Sequence, residues 1–294
     1  DRYMAGGMRD DDELLKEDCI HRDITFNAMY LEVETEHLYD PTGGMSDLAA
    51  GVVRSPHTNG PKASFLEDPV RLLRLLRFAA RFDFQLHSTV LDAAEDLQVH
   101  EALMQLSDLS KGRVLFEVKK ALLLHNQPWR FLEFCGICQV EELIFGPNLA
   151  KIWPKVVGHA RRLGHLLLHG LSTEQLLCRS ERFRGRHLRA TGLPAPLLMP
   201  DWRKLGVWEN DWLELLLGAM TCSLDTRAVQ DLCQELQLSK PMCDNVLELQ
   251  MRSRQHNVAA HTQPPGVHLL RSATSSAEAF EDFWQRWPVA PGDV

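Results

Sequence analysis

The chain has 294 residues, of which 45% are hydrophobic and 24% are charged, and its formal net charge is −8. This length and composition are typical of a folded protein with one or two hydrophobic cores. No apolar run reaches the roughly 20 residues needed to span a bilayer, and no segment resembles a signal peptide. We therefore expect an intracellular protein with no membrane partner. The 7 cysteines are scattered and odd in number, which predicts free thiols.

The first part of the chain predicts a loop, a strand and a hairpin. Residues 1–18 are acidic, and we expect an irregular loop that leads to Arg22 and Asp23. The apolar run from Ile24 to Tyr30 predicts a strand with both polar residues at its entrance. Residues 30–39 are typical of a β-hairpin over a sheet. Its apolar positions are Leu31, Val33, Leu38 and Tyr39.

A turn is predicted where the next block begins, at Asp40-Pro41. The block contains the pair Gly43 and Gly44 and ends at Asp47-Leu48. Asp-Pro and Gly-Gly pairs are typical of turns. Such a turn can also serve as a hinge, and we assign that role to Asp40, Gly43, Gly44 and Asp47.

An arginine-rich helix is predicted from Asp68 onward, because Asp is a preferred N-cap and Pro69 a preferred first helical residue. At about 100° per residue its arginines fall within an arc of about 120°. These are Arg71, Arg74, Arg77 and Arg81. The opposite arc is apolar and predicts a core face; it holds Leu72, Leu73, Leu76, Ala79 and Ala80. A carboxylate and guanidinium groups can read a base edge and hold phosphates. The alternative is a solvated basic face with an ordinary N-cap.

The remainder of the chain is predicted to be helical almost throughout. Ser88 is expected to cap a helix through Leu97, and Ser110 to open another. A helix with a Cys-Gly end is expected within 128–150, and further helices are predicted at 208–217, 225–236 and 242–251. Cys135-Gly136-Ile137-Cys138 has no second pair to complete a zinc site, so a helix end with a buried Cys is favoured.

One segment is basic in an otherwise acidic chain. Residues 151–190 hold nine Lys or Arg against two Glu, so this window carries +7 and the remainder −15. Such a patch can bind an RNA backbone by displacing counterions. The candidate RNA-binding residues are Arg182, Arg184, Arg186 and Arg189. A solvated loop is the alternative for these residues.

Taken in order, three blocks resemble the motifs of the class II tRNA nucleotidyltransferases and the related bacterial poly(A) polymerases. The blocks run from His21 to Ala28, from Asp40 to Leu48 and from Glu67 to Arg74. The resemblance implies an α+β fold, in which an incomplete nucleotidyltransferase head with a small β-sheet precedes an all-α neck, body and tail. We expect the head at 1–60, the neck at 61–127, the body at 128–256 and a linker and tail at 257–294.

The resemblance also implies a function, which is addition of CMP and AMP to the 3′ end of tRNA without a nucleic-acid template. The implied partners are tRNA, CTP and ATP. Asp68 and Arg71 would face the Watson–Crick edge of the incoming base, with Arg74 and Arg77 supporting that pair and meeting the triphosphate.

The same resemblance assigns roles in the first two blocks. Arg22 and Asp23 would hold the sugar and phosphates, with Asn27 beside them, although His21 stands where an arginine is usual. Residues 40–47 would form a springy connection that lets the head adjust as the primer grows. In the neck, Arg113 matches the family, whereas Gly112 stands where a glutamate is usual.

We identify no residues in this chain that match the metal site of the family. The resemblance implies Mg²⁺ on an Asp-x-Asp pair, many tens of residues before the Arg-Asp block. Gly6-Gly7-Met8-Arg9-Asp10 imitates the family's phosphate loop with one residue missing, but only eleven residues separate Asp10 from Arg22. We therefore expect no catalytic carboxylates or metal ligands in this chain, and a chain that begins partway through the head.

Two hypotheses of different classes follow. The chain belongs to an active tRNA nucleotidyltransferase whose metal-binding segment lies upstream, or it is a catalytically inactive member that binds RNA or serves as a scaffold. Poly(A) polymerase activity, A-only addition and CC-only addition stay open within the first hypothesis. An upstream segment with the Gly-Gly loop and the Asp-x-Asp pair would decide for the enzyme.

Overall fold

The structure is a computed structural model that describes residues 11–109, 111–123, 127–165 and 209–260. These residues form two compact units. The first comprises Asp1–Val118 and Ile137–Gln139, and the second comprises Lys119–Gly136 and Val140–Val294. None of the described helices is both long and apolar enough to cross a membrane. The six described cysteines are thiols, as predicted.

The first unit combines helices with four very short strands. In chain order its elements are α1 (Asp11–Ile20), a 3₁₀ turn (Thr25–Asn27), β1 (Tyr30–Leu31), β2 (Leu38–Tyr39), α2 (Gly44–Ala50), β3 (Val52–Val53), α3 (Gly60–Glu67), α4 (Val70–Phe82), β4 (Gln85–Leu86), α5 (Ser88–Ala94) and α6 (Leu97–Leu109). The unit ends within α7 (Lys111–Leu122). The predicted α+β class is confirmed.

The strands form two separate pairs. β1 and β2 are antiparallel, with Tyr30 opposite Tyr39 and Leu31 opposite Leu38, so the predicted hairpin is confirmed. β3 and β4 are parallel, with Val52 opposite Gln85. The prediction that the hairpin's apolar residues lie over a sheet is wrong for the described residues, because Leu31, Val33 and Leu38 are exposed.

Helix α4 is the centre of the first unit's core. It contacts α3, β3 and β4. Its apolar face is buried as predicted: Leu72, Leu73, Leu75, Leu76, Ala79 and Ala80 are at most 2% exposed. Burial of aliphatic side chains at about 1.5–3 kcal/mol each makes this face a major stabilising contribution. The burial of one face fixes which way the arginines of α4 point.

The predicted strand at 24–30 is wrong, because this segment forms the 3₁₀ turn and only its last residue is in a strand. Two side chains account for the difference. The Thr25 hydroxyl donates to the buried Asp47 carboxylate at 2.7 Å. The Phe26 ring packs edge-to-face against Phe78, Phe82 and Phe84 with centroids 5.9–6.3 Å apart. Both contacts join residues that are far apart in the sequence. The apolar pattern within residues 24–30 therefore could not predict them.

Two further boundaries differ from prediction. The irregular loop expected at 1–18 is wrong for its described part, since residues 11–18 lie in α1. The helix expected from Ser88 to Leu97 ends at Ala94, and its cap is His87, whose Nδ1 accepts from the Thr89 N–H at 3.3 Å. Ser110 lies outside the described residues, and α7 is described from Lys111.

The second unit is helical throughout its described part. Its helices are α8 (Pro128–Ile137), α9 (Glu141–Phe145), α10 (Pro147–Ala150), α11 (Trp153–His165), α12 (Glu209–Thr221), α13 (Thr226–Glu235) and α14 (Lys240–Ala260). Helix α12 packs on α11 and α14. Two buried indoles fix the packing: Trp153 Nε1 donates to the Leu132 carbonyl at 3.1 Å, and Trp212 Nε1 to the Leu122 carbonyl at 2.9 Å.

The last three helices of the second unit begin close to the predicted residues. Asp225 caps α13, with its carboxylate accepting from the Ala228 N–H at 2.8 Å. Cys135 and Cys138 are buried near the end of α8, as predicted. Helix α14 continues through Ala260, so the predicted linker is helical at 257–260. The rest of the predicted linker and tail lies outside the described residues.

Candidate functional site

A cavity of about 690 Å³ lies beside the start of α4 in the first unit. It brings together six of the seven residues predicted to bind nucleotide. These are Arg22, Asp23, Asn27, Asp68, Arg71 and Arg74. Val70, Arg113, Phe116 and Glu117 complete the lining. Residues that are far apart in sequence therefore share one wall, as a binding site requires.

Asp68 occupies the junction between α3 and α4. Its backbone is extended, with φ −148° and ψ 97°, and its Oδ1 accepts from the Val70 N–H at 3.3 Å. Its Oδ2 accepts from Arg113 Nη2 at 2.7 Å. The Arg113 side chain is 53% exposed. Exposed ion pairs contribute only about 0–1 kcal/mol, so a ligand can replace Arg113 at little cost.

Arg71 is held at the cavity wall by three neighbours. Its Nη1 donates to Ser64 Oγ and to Glu67 Oε2, both at 3.0 Å. Its Nη2 donates to the His21 carbonyl at 3.2 Å. These contacts orient the guanidinium before any ligand arrives, which reduces the entropy that binding would cost.

An ion-pair network joins two arginines of α4 to the carboxylates of Asp23 and Glu117. Arg74 Nε lies 2.6 Å from Asp23 Oδ2, and Arg74 Nη1 lies 3.4 Å from Glu117 Oε1. Arg77 Nε lies 2.6 Å from Glu117 Oε2, and both of these side chains are less than 10% exposed. Burial has the largest effect on Arg74 and lowers its pKa, but Asp23 and Glu117 together outweigh it and raise that pKa.

Arg77 is the one predicted nucleotide-binding residue that does not line the cavity. Its guanidinium lies 4.4 Å from the centroid of the Phe78 ring and pairs with Glu117. The four arginines of α4 therefore differ in their exposure to solvent and in their access to the cavity. Arg71 and Arg74 reach the cavity, Arg77 is buried, and Arg81 is exposed.

Glu117 is a site residue that the sequence reasoning missed. It lies on α7, four residues after Arg113 and therefore on the same helical face. Its neighbours Val114 and Val118 are buried. An acidic residue among the apolar residues of a helix face was therefore the sequence signal that could have identified Glu117. Gly112 is exposed and makes no such contact. Helix α7 thus supports α4 through Arg113 and Glu117.

Arg22 is positioned by two polar side chains. Its Nη2 donates to the Tyr30 hydroxyl at 2.6 Å, and its Nε donates to Asp18 Oδ2 at 2.9 Å. The Tyr30 hydroxyl also hydrogen-bonds to Asp18. That bond is the largest cause of a lowered pKa of Asp18, and Arg22 lowers it further.

The predicted hinge residues form the start of α2 and dock it against the 3₁₀ turn. Asp40 accepts from the Gly44 N–H at 2.7 Å and from the Met45 N–H at 2.9 Å. Gly43 has φ +76°, which favours glycine. A Cβ on Gly44 would lie 2.4 Å from the Thr25 carbonyl oxygen, so only glycine fits this close approach. Hinge motion itself stays a prediction.

The predicted RNA-binding arginines, Arg182, Arg184, Arg186 and Arg189, lie outside the described residues. Carboxylates at the cavity do not fit a Mg²⁺ site. Asp23, Asp68 and Glu117 each pair with an arginine.

Part of the chain is similar to known proteins. Residues 5–54 match the poly(A) polymerase head domain. The mitochondrial CCA tRNA nucleotidyltransferase of Candida glabrata is 35% identical over 131 residues, which are 44% of this chain and 24% of that protein. The A-adding tRNA nucleotidyltransferase of Aquifex aeolicus is 40% identical over 139 residues, 45% of this chain and 16% of that protein. Over these residues the chain is similar to tRNA nucleotidyltransferases.

The fold of one solved structure is similar to that of this chain over most of its length. A tRNA nucleotidyltransferase complexed with a primer tRNA and an incoming ATP analog superposes with a TM-score of 0.56 at 23% identity. The match covers 90% of this chain and 65% of that chain. The chain spans a quarter or less of the two curated relatives. The matched head-domain segment contains Arg22, Asp23 and Asn27, whereas α4 lies outside it.

Proposed function

We propose that this protein is a tRNA nucleotidyltransferase that adds CMP and AMP to the 3′ end of tRNA, with Asp68 and Arg71 selecting the base. The observation that carries the proposal is the cavity where these two side chains meet Arg22, Asp23 and Arg74. The names of the relatives support the same reaction class.

The chemistry of the two side chains fits cytosine and adenine. Both bases present an exocyclic amino donor beside a ring-nitrogen acceptor on the Watson–Crick edge. The Asp68 carboxylate accepts from the amino group, and the Arg71 guanidinium donates to the ring nitrogen. Uracil and guanine present a carbonyl and a ring N–H at the corresponding positions, so each would place like groups against each other. Each correct contact contributes about 1–3 kcal/mol of discrimination.

The remaining residues position the nucleotide. Arg22 and Arg74 provide positive charge for the phosphates, and Asn27 lies beside them. Arg77, which does not line the cavity, and Glu117, which does, hold α4 against α7. When a base binds, Asp68 must give up its ion pair with Arg113. Because that pair is exposed, breaking it costs little free energy.

Metal ions are expected from the family because phosphoryl transfer relies on them to neutralise charge and align the attacking hydroxyl. The described carboxylates at the cavity are all paired, so no step is assigned to a metal held by them. The same pairing favours a second candidate, a catalytically inactive member that binds nucleotide or RNA.

Nucleotide binding and incorporation together test the proposal. Equilibrium dialysis with the four nucleoside triphosphates should show CTP and ATP binding more tightly than UTP and GTP. Asp68→Ala and Arg71→Ala should each weaken CTP and ATP by at least about fivefold, corresponding to about 1 kcal/mol. Arg81→Ala is the matched control, because Arg81 is exposed on the same helix and does not line the cavity.

Incorporation of radiolabelled CTP and ATP, with Mg²⁺, into tRNA without its terminal CCA separates the two candidates. Incorporation that Asp68→Ala abolishes supports the enzyme. Selective binding without incorporation supports the inactive member. Equal binding of all four nucleotides would contradict base selection by Asp68 and Arg71.

A further inference from the structure

The first unit contains a second cavity, of about 410 Å³, that the proposed function does not use. It lies between α1, the segment that follows β3, and the end of α3. Two histidines and a glutamate meet there: His21 just after α1, His57 before α3, and Glu67 at the last position of α3. Glu13 and Glu17 line the same cavity.

These three side chains converge on one point. His57 Nε2 lies 3.0 Å from Glu67 Oε1. The His21 and His57 rings lie edge to face, with centroids 6.0 Å apart. One nitrogen or oxygen atom from each of the three residues lies within 4.8 Å of the others. The His57 side chain is 4% exposed, whereas that of Glu67 is 46% exposed and His21 is also exposed.

We propose that His21, His57 and Glu67 bind a divalent transition-metal ion of the Zn²⁺ class. Two imidazoles and a carboxylate are a Zn²⁺ ligand set that leaves a fourth position open. With metal–ligand bonds of about 2.1 Å, ligand atoms in a tetrahedral site are about 3.4 Å apart. His57 and Glu67 already have nearly this separation, so the exposed His21 ring is the group that must rotate.

The surroundings of Glu67 favour this role. Its second oxygen, Oε2, accepts from Arg71 Nη1 at 3.0 Å, which is an outer-shell contact of the kind that orients a ligating carboxylate. Arg71 also donates to the His21 carbonyl at 3.2 Å, so two of the three ligand residues contact the same guanidinium.

Two nearby features disfavour metal binding: the hydrogen bond at His57 Nδ1 and the positive charge of Lys16. His57 Nδ1 accepts from the Asn59 N–H at 3.3 Å, and coordination through Nε2 places a proton on Nδ1, so this weak contact must lengthen. Lys16 also lines the cavity, and Glu13 and Glu17 balance its charge. The imidazoles select against Mg²⁺, which prefers oxygen ligands, so this site is separate from any catalytic Mg²⁺.

Isothermal titration of the purified chain with ZnCl₂ tests the site. The chain has 13 His and 7 Cys, so Zn²⁺ binding elsewhere must be subtracted by variants. His21→Gln and His57→Gln should each remove one site or weaken it by at least about tenfold. His37→Gln is the matched control, because His37 is an exposed histidine in the β1–β2 hairpin and not one of the three ligands.

Cobalt provides an independent readout. The difference in visible absorption between the Co²⁺-loaded chain and its His21→Gln variant should show d–d bands without a thiolate charge-transfer band, since no ligand is a cysteine. If His57→Gln disturbs the fold by circular dichroism, His21→Gln decides alone, because its ring is exposed. Equal Zn²⁺ stoichiometry and affinity in the unsubstituted chain and His21→Gln would overturn the proposal.

Discussion

At the scale of single residues, the arginines of α4 show how the environment assigns different roles to one side-chain type. Arg71 is oriented by Ser64, Glu67 and the His21 carbonyl at the cavity wall. Arg77, six residues later, is buried against Glu117 and the Phe78 ring. A guanidinium in the first position can meet a ligand, whereas one in the second can only support the helix.

Glu117→Ala should strongly destabilise the protein. The substitution leaves the Arg77 guanidinium buried without its carboxylate, and breaking a buried ion pair costs about 3–5 kcal/mol. Urea unfolding followed by circular dichroism measures the loss. Glu101→Ala, at an exposed position on α6, should change the free energy of unfolding by less than about 0.5 kcal/mol. A loss for Glu117→Ala no larger than for this control would contradict the buried pair.

Asp18 should contribute stability that depends on pH. Its pKa is lowered in the folded state, chiefly by the Tyr30 hydroxyl and then by Arg22. A group with a lowered folded-state pKa stabilises the fold above its unfolded pKa of about 3.9, and this contribution is lost as the pH falls through the folded value. The unsubstituted protein should therefore melt at a higher temperature than Asp18→Asn at neutral pH. This difference should shrink below about pH 4, and a difference independent of pH would contradict the assignment.

At the scale of elements, α2 shows how one close contact sets a local structure. The first residue of α2, Gly44, lies directly against the backbone of the 3₁₀ turn, and the Thr25 hydroxyl reaches the buried Asp47 on the same helix. These contacts hold the segment at 24–30 in a turn, although its apolar pattern is typical of a strand. The position of Arg22, Asp23 and Asn27 around the cavity depends on this turn.

Gly44→Ala and Gly112→Ala form a matched pair that tests this packing. The new Cβ at position 44 would lie 2.4 Å from the Thr25 oxygen, a backbone atom, so one element must shift. Overpacking of this kind costs about 1–3 kcal/mol. At position 112, in α7, the Cβ meets nothing within 4 Å, and helix propensity predicts a gain of about 0.5–1 kcal/mol. Thermal unfolding should rank the two variants in opposite directions from the parent; equal shifts would contradict the close approach.

At the scale of the whole molecule, the described residues of the two compact units differ in content. Both cavities that we describe belong to the first unit, and α11, α12 and α14 pack together in the second. The division into head, neck, body and tail at residues 60, 127 and 256 stays a prediction. The nucleotide-binding variants at Asp68 and Arg71 test the first unit alone, because every lining residue of the 690 Å³ cavity lies in it.

The sequence by itself determined the resemblance to tRNA nucleotidyltransferases, the α+β class, the core face of α4 and the helix predicted at 225–236. These features are local, because periodicity, capping and ordered motifs operate within a few residues of each other. Only the tertiary structure decided that Glu117 pairs with Arg77, that Asp23 pairs with Arg74, and that residues 24–30 form a turn. These outcomes depend on side chains 22 to 51 residues apart along the chain. The packing of α4 against α7 and of α2 against the 3₁₀ turn brings them together, and no local pattern encodes that contact.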